Sequence, residues 1–211
     1  MNDIDKKILS TGITTIIICK LIQIISKQKN GHFVSYCHAM FQISYILILF
    51  FYNTNLIFLS CFDMIHTRID TTLQLSVLLF YTLYDTLENN NKIDMIIHHV
   101  IVIICCMIGL NLESHQLIGM FMMLNEASTP FLNLIKMNVC KSISEILFLV
   151  TFFVFRLFLL PYLIFLLWPC VDNRTTFIIF IIVCGLFCLN LHWGRLIYLQ
   201  CMKRFSRKSK S

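Results

Sequence analysis

Long apolar runs separated by short polar breaks occupy almost the whole chain. Seven stand out: Ile8 to Ser26, Phe33 to Tyr52, Thr72 to Leu87, Ile93 to Leu110, His115 to Ile135, Ile146 to Trp168 and Thr176 to Gln200. Each is close to the roughly 17 to 25 residues that cross a hydrocarbon core of about 30 Å at about 1.5 Å per residue. The pattern predicts an all-α polytopic membrane protein with about seven transmembrane helices. Leu56 to Phe62 is apolar but too short to span, and is expected to be re-entrant or interfacial. Pro130 and Pro161 fall inside the fifth and sixth runs and predict kinks, with neighbouring helices satisfying the freed carbonyls.

Composition narrows the class. Of 211 residues, 58% are hydrophobic and 13% charged, where an ordinary soluble domain has about 25% charged. A soluble enzyme and a disordered tail are excluded. The net charge of +6 reads as topology and not as nucleic-acid binding, because there is no soluble basic surface to hold a duplex. With the carboxyl tail in the cytosol, that side collects Lys27, Lys29, Lys92, Lys136, Lys141, Lys203, Arg204, Arg207, Lys208 and Lys210, 10 in all, against 4 on the far side, Lys6, Lys7, Arg68 and Arg174. The excess favours a cytosolic tail and an external amino terminus. The ten cysteines show no paired spacing and are read as small buried hydrophobes. The sequon at Asn173 lies close to two spans on the far side and is read as unused. Asp3 and Asp5 precede the first run and no small-residue cleavage site follows it, so that span is expected to stay in the mature protein.

Ionisable groups inside spans are costly and mark candidate sites. Arg156 is near the middle of the sixth span, where a lone arginine costs about 2.5 to 3.5 kcal/mol. Glu126, at similar depth in the fifth, is its expected partner. The bland alternative is an ion pair that only fixes helix register. At 3.6 residues per turn, Glu126, Thr129, Pro130 and Asn133 share one stripe, read as a cavity wall, with a helix-packing seam as the alternative. Asp94 lies four residues before His98, so its carboxylate is expected to orient that imidazole as a general base, while His99 points about 100° away. Adjacent histidines on a helix do not easily ligate one metal, and none is expected; interfacial or structural histidines are the competing view. Asp85, His98, His99, Asn133 and Arg195 fall in the cytosolic half, with Asn190 and Trp193 on the seventh span as it descends toward the cytosol and Glu126 and Arg156 deeper. A polar mouth above an apolar interior suits an amphiphile entering head-first from the cytosol. Snorkelling and interface anchoring account equally for Trp193 and Arg195 taken alone.

Two segments resemble a known family. His98-His99 opens one span, and Asn125-Glu126-Ala127-Ser128-Thr129-Pro130-Phe131-Leu132-Asn133 lies in the next. Together they resemble the TLC-domain family, named for its TRAM, Lag and CLN members, and the pattern E-x-S-T-P-F-x-N is similar to the TLC-domain-containing proteins. Val34 to Ala39, Phe80 to Asp85, Phe153 to Leu157 and Leu189 to Trp193 match in order. The likeness divides the chain into a first helix with a short amino-terminal segment (1-29), a TLC domain (30-202) and a basic cytosolic tail (203-211). It implies a six-helix bundle around a lipid-accessible cavity, in the endoplasmic reticulum or another internal membrane; composition suits the plasma membrane equally.

The family's ceramide synthases share the paired histidines but carry His-Asp and Ser-Asp where this chain has Asn125-Glu126 and Ser128-Thr129. The expected function is therefore membrane lipid homeostasis through lipid binding, sensing or trafficking. Asp85, Glu126, Thr129, Asn133, Arg156, Asn190, Trp193 and Arg195 are the expected cavity or head-group residues, membrane lipids the partners, and no cofactor is required. The alternative is an acyltransferase in which His98, His99 and Asp94 are catalytic and acyl-CoA is the co-substrate. A transporter is the third class, permitted by midplane charges and proline-interrupted spans.

Overall fold

The computed structural model describes residues 3–26, 31–52, 71–88, 92–111, 116–171 and 174–208. The expected re-entrant stretch, the sequon asparagine and His115 lie outside them. All regular elements among the described residues are helical. In chain order they are α1 (Asp3–Ser26), α2 (His32–Tyr52), α3 (Thr72–Glu88), α4 (Ile93–Asn111), α5 (Gln116–Met123), a 3-10 segment (Leu124–Ser128), α6 (Thr129–Lys136), α7 (Lys141–Thr151), a π-helical segment (Phe152–Phe158), α8 (Leu159–Leu167), a 3-10 turn (Trp168–Cys170) and α9 (Arg174–Lys208).

Five of the described helical stretches are long and apolar enough to cross a membrane: Ile4–Ser26, His32–Leu49, Ile93–Asn111, Lys141–Cys170 and Arg174–Lys203. The third and fifth expected spans fall short of that measure, α3 because it has 17 residues and α5 to α6 because Asn125, Glu126, Ser128, Thr129 and Asn133 make it too polar. Most large apolar side chains on α1 face outward, as they must when lipid is the solvent.

α3 packs on α4, α4 on α9, α9 on α8, α7 on α6 and α6 on α2, which returns to α3; α1 lies outside this ring against α3 and α2. Leu160, Leu163 and Leu167, at helical spacing on α8, are fully buried against Ile46, Leu75 and Val183. α1 holds α3 at the tail-side end through Lys20 Nζ to Glu88 Oε1 at 2.6 Å and the Tyr84 hydroxyl donating to Gln23 Oε1 at 2.8 Å. Cys170 is disulfide-bonded, which corrects the view of every cysteine as a plain apolar filler. It precedes α9, whose other end carries the basic tail, so the disulfide sits at the end of the bundle away from that tail.

The 3-10 segment Leu124–Ser128 and the π-helical segment both trace to prolines. Pro130 has no N–H for the Glu126 carbonyl four residues back, and that oxygen takes the Thr129 N–H instead, the bond of a 3-10 turn. Pro161 likewise has nothing to offer Leu157, and the turns before it widen: the Leu159 N–H reaches Val154, five residues back. The two segments lie side by side.

Candidate functional site

Arg156 projects from the π-helical segment into the 3-10 segment. Its Nε–H is shared between the Asn125 carbonyl at 2.9 Å and Ser128 Oγ at 2.8 Å, Nη1 donates to Asn190 Oδ1 at 3.3 Å, and Nη2 to Thr129 Oγ1 at 3.1 Å. The guanidinium also lies over Trp193 at 5.5 Å and Phe152 at 5.7 Å. Four neutral acceptors, and no carboxylate within ion-pair distance among the described residues, surround the charge. The expected Glu126–Arg156 ion pair is therefore corrected. A 3-10 turn has about 3.0 residues per turn, so residues three apart eclipse. That geometry brings the Asn125 carbonyl and Ser128 Oγ together at Arg156 Nε, while the Glu126 carboxylate lines a cavity with Arg156 but beyond ion-pair distance of the guanidinium.

Glu126 meets His98 instead, with Oε1 3.9 Å from Nε2. Asp94 does not orient His98: its Oδ2 accepts the Trp193 indole N–H at 2.8 Å, joining the start of α4 to α9. Trp193 then sets its ring edgewise on His98, centroids 5.4 Å apart. His98 thus lies near Glu126 but beyond hydrogen-bond distance, against an aromatic wall, and its Nδ1 is buried without a hydrogen-bond partner.

His99 faces another way, as the 100° helical step requires, and finds Asp85. Its Nε2 is 3.3 Å from Asp85 Oδ2, and its Nδ1 is 2.8 Å from Thr86 Oγ1. Thr86 has one hydroxyl proton and also lies 2.7 Å from the Thr82 carbonyl. If that proton goes to Thr82, Nδ1–H donates to Thr86, and a second proton must separate Nε2 from the carboxylate. If it goes to Nδ1, Nε2 carries the ring proton. Either way a proton sits between His99 and Asp85. At the tail-side rim, burial holds the Lys136 ammonium below its usual range, partly opposed by the Asp85 carboxylate.

His98, Asn125, Glu126, Arg156 and Asn190 line the polar end of one cavity with internal room of about 50 Å³, the open mouth and the crevices between wall atoms bringing the empty space to about 540 Å³. Its remaining wall is apolar, from Leu75, Leu78, Val102, Met122 and Leu186 among others. Cys105, Gly119 and Met122 are shared with a second apolar space that continues past Gly109, Ile118 and Ile179. One polar end and a long apolar extension is the shape of a site for an amphiphile, polar groups fixing orientation and apolar wall supplying contact.

The expected residues divide accordingly. His98, Glu126, Arg156 and Asn190 converge on the cavity, Thr129 and Trp193 support Arg156, and His99 and Asp85 form a neighbouring pair. Asn133 belongs to a different wall, where its amide donates to Ser35 of α2 at 2.9 Å. Arg195 is exposed on α9 and does not line the cavity. Asn125 and Ser128 were not expected in the site. Their signal was Pro130, because a helix that loses its i to i−4 bond rotates the residues before it.

The TLC-domain family model matches residues 8–199. No curated protein and no solved structure matches the chain.

Proposed function

The chain belongs to the TLC-domain family, and on that premise we propose that it binds a single-chain or partly inserted membrane lipid and acts in membrane lipid homeostasis, by sensing or trafficking that lipid. The observation carrying this is the cavity's division into a polar end at His98, Glu126, Arg156 and Asn190 and an apolar extension past Gly119. Two Arg156 N–H bonds remain beyond those given to protein acceptors, and His98 Nδ1, buried at the cavity wall, is unpaired. They offer a lipid head both donors and an acceptor. The basic tail in the cytosol is supported by the lysine and arginine count and by a disulfide at the opposite end, since disulfides persist on the oxidising side. An internal membrane such as the endoplasmic reticulum is the proposed location.

Acyl transfer from acyl-CoA to a lipid acceptor is the alternative, favoured by one observation: an imidazole–carboxylate pair, His98 and Glu126, faces Arg156 donors across the same cavity. There His98 takes the proton of an acceptor hydroxyl or amine as it attacks the thioester carbonyl. Arg156 steadies the oxygen that gains charge, and the thiol of coenzyme A leaves. Glu126 has the supporting part first assigned to Asp94, and no cofactor is needed beyond the co-substrate.

Mass spectrometry of lipids from the purified protein in nanodiscs, incubated with a long-chain acyl-CoA and mixed acceptors, separates the two. A selectively retained lipid that Arg156→Gln loses, with no new product, is the expected result. A new acylated lipid that disappears in His98→Ala establishes transfer. Neither retention nor product removes both.

A further inference from the structure

A second buried polar group lies between α2 and α3. The two helices run antiparallel: Val34 packs with Tyr84, the His38 ring stacks on Tyr81 with centroids 3.6 Å apart, and Ile46 reaches the level of Leu75 and Leu78. Gln42 is one turn beyond His38, and Gln74 two turns before Tyr81. Spacings of four and seven keep each pair on one helix face, and the antiparallel register sets the two faces at matching depth.

Gln42 and Gln74 are 0% exposed and His38 8%. Both amide atoms of each glutamine, and His38 Nε2, have no hydrogen-bond partner. Five unpaired polar atoms on the buried faces of two neighbouring helices, inside a bundle whose outer face is lipid, are too costly to leave dry. Native interiors meet that need with bound water, which makes two to four hydrogen bonds to otherwise unpaired groups. The 3-10 segment that carries Glu126 packs directly against α2.

We propose that the facing stripes His38/Gln42 and Gln74/Tyr81 hold a file of bound water that reaches Glu126 from the α2 side. Water at this position donates and accepts protons for Glu126 and is separate from the cavity, whose wall takes Leu75 and Leu78 from α3 but none of His38, Gln42, Gln74 and Tyr81. The Glu126–His98 pair thus keeps a proton partner while the cavity is filled. The proposal does not depend on which lipid, or whether any lipid, binds there.

Radiolytic hydroxyl-radical footprinting of the full chain in nanodiscs tests it, because bound internal water generates radicals beside side chains that bulk water does not reach. His38 and Tyr81 are expected to be modified severalfold faster than Phe152, a reactive ring only 2% exposed. In Gln42→Leu/Gln74→Leu, whose side chains are close in volume and hold no water, their rates are expected to fall to that of Phe152. Wild-type rates no faster than Phe152 overturn the proposal whatever the variant does. Fast rates unchanged by the double substitution place the radical source elsewhere and overturn it too.

Discussion

Arg156 donates its Nε–H to the backbone carbonyl of Asn125 at 2.9 Å, so a side chain from one proline-disturbed helix satisfies a carbonyl in another. Arg156→Leu strands that carbonyl, Asn190 Oδ1 and the two hydroxyl oxygens in a buried setting. Each unpaired buried group costs about 1–3 kcal/mol, and the loss is expected to exceed about 3 kcal/mol in a denaturant titration of the purified protein. Arg156→Lys keeps the charge, but a compact ammonium does not reach all four acceptors. It is expected to recover only part of the loss.

Pro130→Ala returns an N–H to the Glu126 carbonyl and favours an ordinary α-helical turn through Leu124–Ser128. Stability is expected to hold or rise. Asn125 and Ser128, however, leave the eclipsed positions that meet Arg156, so lipid retention is expected to fall while helix content by circular dichroism does not. Unchanged retention would show that the 3-10 segment does not set the site.

The same proline marks the limit of what the pattern of residues discloses. Hydropathy alone placed the seven helical stretches, because each must cover its backbone polar groups and expose apolar side chains to lipid. It also picked out Arg156, Glu126 and His98, since charge within a span needs a reason. The partners were not legible. A stripe drawn at 3.6 residues per turn puts Glu126 with Thr129 and Asn133 on one face. The three side chains meet three different partners, His98, Arg156 and Ser35, because helices packed on more than one side of the segment compete for them. Spacing within one helix pairs Asp94 with His98, whereas Trp193, 99 residues away, takes it. Choices between local and distant partners depend on packing that one sequence does not print.

Gly119 lies where the two parts of the cavity join, and an added Cβ would sit 3.8 Å from Leu75, ordinary contact distance. Gly119→Ala is therefore expected to fold and retain lipid. Gly119→Phe fills the junction and is expected to exclude long acyl chains while short-chain lipids still reach the polar end. Mass spectrometry of retained lipids against chain length reads the difference; equal loss of all lengths would indicate a folding defect.

The Trp193–Asp94 bond joins α9 to the start of α4 beside His98. The only other tryptophan, Trp168, is 69% exposed at the far end, and Trp168→Phe leaves Trp193 as a single reporter. In that background Asp94→Leu is expected to shift and broaden the emission, as the indole loses its fixed acceptor, whereas Asp94→Asn keeps an acceptor oxygen and shifts it less. Identical spectra for all three proteins would remove the bond.

Gly12 on α1 lets the Phe80 ring of α3 lie directly on the helix backbone, and a Cβ there would overlap that ring. Only glycine fits with Phe80 in this position, much as small residues elsewhere permit close helix approach in membranes. Gly12→Leu is expected to push α1 off α3 and weaken Lys20–Glu88 and Tyr84–Gln23 further along the same interface. Phe80→Ala removes the colliding ring, at its own cost of lost packing. If the contact is as close as the geometry requires, Phe80→Ala/Gly12→Leu is more stable in denaturant titration than the sum of the single losses allows. Simple additivity would mean that α1 does not rest on Phe80.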